Sequence, residues 1–282
     1  MRIRVGAVLC AAMLVAVAAG ATASGAAQRD RGGKWAERRS WAGEFERAGV
    51  TGTALIFDEE SRRFFVHDRE RSQDRFLPAS TFKILNALVA LQNGNVSDEY
   101  EVLRWDGTKR EIPVWNRDHS LASGMRFSVV WFYQEMARRT GQKRMQEWVD
   151  RVGYGNRDLS GGIDQFWLTG GLRISAREQV ALLRRLVDDE LPFDRAHQDT
   201  VRRLMLQSTA PDFRLFGKTG WAIVPGQTDL GWYVGFSEYR DRRFFFALNI
   251  DMPSADDAPE REQLVRRLLA DVGGLPDTAA SR

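Results

Sequence analysis

Short runs of β-forming residues stand near both ends of this chain, and almost everything between them has helical periodicity; that order restricts the folds open to it. From Gly52, the segment Thr53-Ala54-Leu55-Ile56-Phe57-Asp58 and then Arg63-Phe64-Phe65-Val66 read as two strands joined by the polar turn Glu59-Glu60-Ser61. Towards the other end, Arg214-Leu215-Phe216 and the stretches 231–236 and 243–250 are rich in β-formers and broken by Gly and Pro. In between, the apolar run from Thr81 to Leu91 is long enough for a buried helix, and Asn93-Gly94 suits a left-handed cap after it. The stretch Arg126 to Arg139 presents Val129, Val130, Phe132, Tyr133 and Met136 at helical spacing, and Gln142 to Val152 does the same with Met145, Trp148, Val149 and Val152. Ser175-Ala176-Arg177-Glu178 has the capping-box form and opens a helix through Leu186. A last amphipathic helix is expected from Glu260 to Leu269. The pattern predicts an α+β fold: one antiparallel sheet formed from both chain ends, flanked by helices, with a mostly helical inserted subdomain. A single domain is expected over 41–275, its α/β part about 41–92 and 208–275 and its helical part about 93–207.

The first residues point to export. Arg2 and Arg4 form a basic start, Val5 to Ala19 is apolar, and Ala21-Thr22-Ala23 is a small-x-small cleavage signal. Residues 1–23 are therefore expected to be a signal peptide and residues 24–40 a polar tail. The apolar run is short for a membrane span. The expected location is periplasmic or secreted, with no membrane attachment in the mature form. Cys10, the sole cysteine, would leave with the leader, which excludes structural disulfides and thiol catalysis. Arg2 and Arg4 also account for two of the 41 basic residues, so beyond them basic residues nearly balance the 38 acidic ones. The charges are interleaved, as at Glu238, Arg240, Asp241 and Arg242, and form no stripe for nucleic acid.

Four motifs carry chemistry. Ser80-Thr81-Phe82-Lys83 places a hydroxyl and an amine three residues apart, on one face of a helix. A serine hydroxyl is a weak nucleophile and needs a base within hydrogen-bond reach. A lysine can serve if it loses its proton, which burial among groups such as Phe82, Ile84 and Leu85 promotes. Lys218-Thr219-Gly220 reads as a strand beside a cleft, with donors for an anion and a glycine permitting close approach to the backbone. Ser128-Val129-Val130 offers a hydroxyl able to relay a proton, or simply a residue at a helix N-terminus. Tyr154-Gly155-Asn156 reads by itself as a turn. His67, His119 and His197 are far apart, and no metal site or phosphate loop is visible.

In this order the four motifs resemble the landmarks of the class D (oxacillinase-type) serine β-lactamases. The resemblance extends to Pro78-Ala79 before Ser80, Trp115-Asn116-Arg117-Asp118, Gln165-Phe166-Trp167-Leu168 and Gly231-Trp232-Tyr233-Val234-Gly235, and covers roughly residues 50–270. The Ser-Asp-Asn triplet of class A enzymes is absent. The resemblance implies the serine β-lactamase and penicillin-binding transpeptidase fold, β-lactam substrates, and Ser80 as nucleophile. It implies no cofactor except CO2, held as a covalent carbamate on Lys83 (N6-carboxylysine) that acts as general base for acylation and deacylation. Phe82, Val130, Trp167 and Leu168 match the positions lining that lysine, with the Trp167 indole as hydrogen-bond donor. Backbone N–H groups of Ser80 and Trp221 would form the oxyanion hole, and Ser128 would pass a proton to the lactam nitrogen. Val130, Lys218, Thr219, Gly220 and Arg261 would bind substrate, and Arg261 is equally well read as a surface arginine on a helix. Loops near Trp105, Met125 and 221–226 would set the substrate range. Two other readings share these motifs: a β-lactam-sensing receptor domain and a penicillin-binding peptidase, both of which keep the acyl-enzyme.

Overall fold

The computed structural model describes residues 33–223 and 226–277. The expected signal peptide and the first part of the expected tail lie outside the described residues. Nine strands are present among them: β1 (Lys34–Glu37), β2 (Gly52–Asp58), β3 (Arg63–His67), β4 (Arg75–Phe76), β5 (Ile174–Ser175), β6 (Leu206–Ala210), β7 (Phe213–Ala222), β8 (Asp229–Tyr239) and β9 (Arg242–Met252). Eight α-helices join them: α1 (Trp41–Ala48), α2 (Lys83–Gln92), α3 (Leu121–Arg126), α4 (Val130–Thr140), α5 (Gln142–Val152), α6 (Ala176–Val187), α7 (Arg195–Leu204) and α8 (Glu260–Asp271). Seven strands form one sheet in the order β1-β3-β2-β9-β8-β7-β6, while β4 and β5 pair apart from it. The α+β reading is met: β2 and β3 from one end of the chain share a sheet with β9, β8, β7 and β6 from the other, joined by the pairing of β2 with β9.

Two cores explain why the strands look apolar on both faces. On β2, Leu55 and Phe57 join the larger core, and Ala54 and Ile56 join the smaller one. The same alternation separates Trp232 and Val234 from Tyr233 on β8, as the two-residue period of a strand requires. The smaller core is closed by α1, through Trp41 and Phe45, and by α8, through Leu264, Val265, Leu268 and Leu269. The larger one surrounds α2, whose residues from Lys83 to Leu91 are all buried.

Three differences from the sequence reading have physical causes. Residues 34–37, expected within a polar tail, form β1, which pairs with β3 in parallel. Trp35 stacks on Phe64 there with ring centroids 4.8 Å apart, and that contact holds a strand of otherwise polar composition. The stretch from Arg126 to Arg139 is not one helix, because it breaks at Ser128, whose φ is +53°. Finally, α6, inside the stretch read as the helical insertion, lies against β2, β8 and β9.

Candidate active site

The segment from Pro78 to Lys83 is held from four directions. Residues Ala79–Phe82 form a 3-10 turn that runs straight into α2. Its entry is strained: Ala79 has φ +46°, in the left-handed region, a conformation costing an alanine about 1–3 kcal/mol. The Ala79 N–H donates to the Trp167 carbonyl at 3.0 Å. The Trp232 indole on β8 donates to the Leu77 carbonyl at 2.8 Å. The Thr81 hydroxyl donates to the Pro78 carbonyl at 2.7 Å and accepts from the Gln179 amide of α6 at 2.8 Å. On the strand side, a Cβ at Gly220 would lie 3.1 Å from the Pro78 carbonyl oxygen and from Thr81 Cγ2, so β7 packs directly on the turn.

This tight turn brings the serine and the lysine together. A 3-10 turn eclipses side chains three residues apart, and Lys83 Nζ lies 2.7 Å from Ser80 Oγ. Ser80 is half-buried, whereas Lys83 is wholly enclosed. An ammonium there would lose its hydration without a carboxylate to replace it. Burial holds the amine well below the usual lysine range, and the positive charge of Lys218 adds to the effect. The Tyr133 ring faces Lys83 Nζ, 5.4 Å from its centroid.

The second serine reaches the same end of the molecule through helix packing. Asn86 on α2 donates to the Tyr133 carbonyl at 3.0 Å, and Asn95, beyond its end, donates to the Met136 carbonyl at 3.2 Å and to the Thr140 hydroxyl at 2.7 Å. The two helices therefore run in the same direction. Ser128, two residues before α4, and Val130, its first residue, stand beside the head of α2. Both are half-buried.

Lys218, Thr219, Gly220 and Trp221 lie on β7, as a strand beside a cleft requires. Lys218 is 5% exposed. Its Nζ donates to the Thr219 carbonyl at 3.0 Å and to the Thr219 hydroxyl at 3.4 Å. Burial pushes its pKa down to about 7; the Arg261 charge acts the same way and Glu262 opposes it. Arg261 comes from α8 and is part of the cluster: its Nη1 donates to the Gly220 carbonyl at 2.7 Å. Its side chain is therefore partly buried against β7 and does not extend freely from the helix surface.

Trp167 and the Tyr-Gly-Asn turn form the remaining wall. The Trp167 ring stacks on Phe82 with centroids 5.3 Å apart, and Phe166 meets Phe82 edge-on at 5.0 Å. The Trp167 indole N–H is buried and has no hydrogen-bond partner among the described residues. Asn156 fixes the segment that follows it: its N–H donates to the Arg173 carbonyl at 2.9 Å, its Nδ2 to the Gly171 carbonyl at 2.8 Å, and its Oδ1 accepts from the Arg173 N–H at 2.8 Å. Gly155 has φ +51°, and a Cβ there would lie 1.9 Å from the Arg173 carbonyl oxygen. The turn inferred from Gly and Asn is thus a clamp on the loop that carries Trp167.

Sequence reasoning missed several members of this arrangement. Tyr133 reads as one more apolar helix position, and Gln179 as a polar one. Ala79 carries no signal of its strained backbone. Asp229, which accepts the Trp221 indole N–H at 2.7 Å, stands eight residues away with no motif around it.

A serine and a shielded lysine at the head of a buried helix, beside a strand bearing Lys-Thr-Gly, define a serine acyl-transfer enzyme of the penicillin-binding type. Comparison agrees: residues 37–270 match the transpeptidase family described as the penicillin binding protein transpeptidase domain. Beta-lactamase OXA-48 of Klebsiella pneumoniae is 41% identical over 238 residues, 84% of this chain and 89% of its relative. The crystal structure of a class D beta-lactamase YbXI from Nostoc superposes with a TM-score of 0.81 at 41% identity, covering 83% of this chain and 99% of the other. That of FUS-1 (OXA-85), a class D beta-lactamase from Fusobacterium nucleatum subsp. polymorphum, gives 0.82 at 36% identity, covering 85% and 100%. The chain belongs to the class D serine β-lactamase family.

Proposed function

We propose that this enzyme opens the β-lactam ring of penicillin-type antibiotics through an acyl-enzyme on Ser80, with Lys83 as general base. The observation that carries the reading is the 2.7 Å approach of an enclosed amine to the Ser80 hydroxyl. Burial lowers its pKa and so favours the neutral amine, the form able to take the serine proton as Ser80 attacks the lactam carbonyl. The N–H groups of Ser80 and Trp221 take the developing oxyanion, each such donor contributing about 3 kcal/mol. Ser128, held at the head of α4, passes a proton to the departing lactam nitrogen. Lys218, Thr219 and Arg261 hold the substrate carboxylate, and Gly220 leaves room for it beside the strand.

The residues around Lys83 also fit a CO2-derived carbamate. A neutral, desolvated amine is the form that reacts with CO2. The unpartnered indole N–H of Trp167, whose ring and carbonyl brace the same turn, supplies a donor for its negative charge. As a carbamate, Lys83 would supply an anionic base for both acylation and hydrolysis of the acyl-enzyme. No helix among the described residues is long and apolar enough to cross a membrane. The basic, apolar and small-residue order of residues 1–23 supports export to the periplasm or beyond, where such antibiotics are met.

Steady-state turnover of a β-lactam panel by the purified mature protein tests the function. Sustained penicillin hydrolysis, lost in Ser80→Ala, is expected. A stoichiometric acyl-enzyme without release would make the chain a receptor or peptidase instead. NMR of protein in 13C-bicarbonate tests the modification: a carbamate carbon resonance missing from Lys83→Ala is expected, and identical spectra would refute it.

A further inference from the structure

Arg261 is mounted in an unusual way for a cation. No carboxylate lies within ion-pair distance of it among the described residues. Its Nε donates to the Ala258 carbonyl and its Nη1 to the Gly220 carbonyl, both at 2.7 Å. Its guanidinium lies over the Trp221 ring, 5.6 Å from the centroid. Beneath its stem is Gly231, the register partner of Trp221 on β8. A Cβ at Gly231 would lie 2.7 Å from Arg261 Cδ and 2.5 Å from the Met252 sulfur. The arginine thus crosses β8 over a glycine gap and rests on an indole face.

That indole is fixed by one group. The Trp221 N–H donates to Asp229 Oδ2 at 2.7 Å, at the end of β7 and β8 where their connecting loop joins them. Neutral carbonyls and a ring face hold a guanidinium less firmly than a carboxylate would. The orientation of the ring therefore matters to where the charge sits. We propose that Asp229 is a positioning residue for anion binding: by clamping the Trp221 indole it holds Arg261 beside Lys218, ready for a substrate carboxylate. Asp229 touches no substrate. It acts through the ring, and its own negative charge stays engaged with the indole N–H rather than with the arginine. The inference rests on the reading of Lys218 and Arg261 as the carboxylate seat.

The test compares Asp229→Ala, Asp229→Asn and Trp221→Phe with the parent, using benzylpenicillin and its methyl ester. Asp229→Ala should raise KM for the acid about tenfold, the effect of losing a hydrogen bond to a charged acceptor, while kcat stays within about twofold. The ester, which has no carboxylate to seat, should show no such change. Asp229→Asn keeps an acceptor for the indole and should recover most of the affinity. Trp221→Phe keeps the ring but loses the donor, so its KM for the acid should rise as in Asp229→Ala, and the double variant should raise that KM no further than either alone. An unchanged KM for the acid, or equal losses on acid and ester, would overturn the proposal. Should Asp229→Ala not fold, Trp221→Phe carries the same comparison. A parent that labels with penicillin but does not turn over would strike the hydrolase reading alone, and the acid and ester labelling rates would still decide the role of Asp229.

Discussion

At the scale of single residues, two buried lysines set the pH behaviour of the site. Lys218 titrates near 7 because burial and Arg261 disfavour its charged form. The charged form is the one that attracts a carboxylate, so KM for penicillins should rise as pH increases through about 7 to 8. Lys218→Arg, which stays protonated, should flatten that profile; steady-state kinetics from pH 6 to 9 would show it. Lys83 has the opposite role. Protonation of its amine removes both the free base and the form that reacts with CO2, so the acylation rate should fall as pH drops through its lowered pKa. The linkage to stability has a definite sign. The pKa of Lys83 is lower in the folded than in the unfolded state, so folding releases a proton in the window between that lowered value and 10.5, the ordinary lysine value. Lys83→Met should therefore raise the melting temperature at neutral pH while abolishing turnover, a measurement made by scanning calorimetry beside an activity assay. The unpartnered Trp167 N–H gives a further test. Trp167→Phe keeps the stacking on Phe82 but removes the donor, and bicarbonate should be needed at higher concentration to sustain its activity.

Elements explain why these residues meet and why the reading from sequence stopped where it did. Helix α2 and strand β7 are legible because apolar runs, Gly and the motifs of Ser80, Lys83 and Lys218 announce them, whereas the 3-10 form of the turn before α2 is not. The break at Ser128 was not, since Phe127, Val129 and Val130 continue the apolar pattern and hide a residue at φ +53°. Ser128→Gly should relieve strain of about 1–3 kcal/mol, raising the melting temperature while slowing acylation. The Tyr-Gly-Asn turn was recognised as a turn, but its clamp on the Trp167 loop is a contact between segments that no local pattern encodes. Gly155→Ala forces a methyl group against the Arg173 carbonyl at a positive φ. It should cost more than about 2 kcal/mol, measured by urea denaturation, and should lower the response of activity to bicarbonate.

At the scale of the whole molecule, chain order was the most informative signal. β-formers at both ends imply a sheet closed by distant segments, and β2 does pair with β9. The two-sided burial of that sheet is also visible in the unbroken apolar runs of β8 and β9. What escaped was β1, whose polar residues gain their place from Trp35 on Phe64 and from the Arg38–Asp271 ion pair at 2.5 Å just beyond. A chain starting at residue 41 should keep its turnover but melt about 4–8 °C lower, as the loss of about 2 kcal/mol predicts. The fold as a whole encloses one amine at the head of its central helix and aims it at a serine. The rate of penicillin hydrolysis by Lys83→Ala measures the consequence. A fall of at least about 10²–10⁴-fold is predicted, the range for loss of a positioned base. Hydrolysis at the parent rate would contradict the assignment of Lys83 as the base.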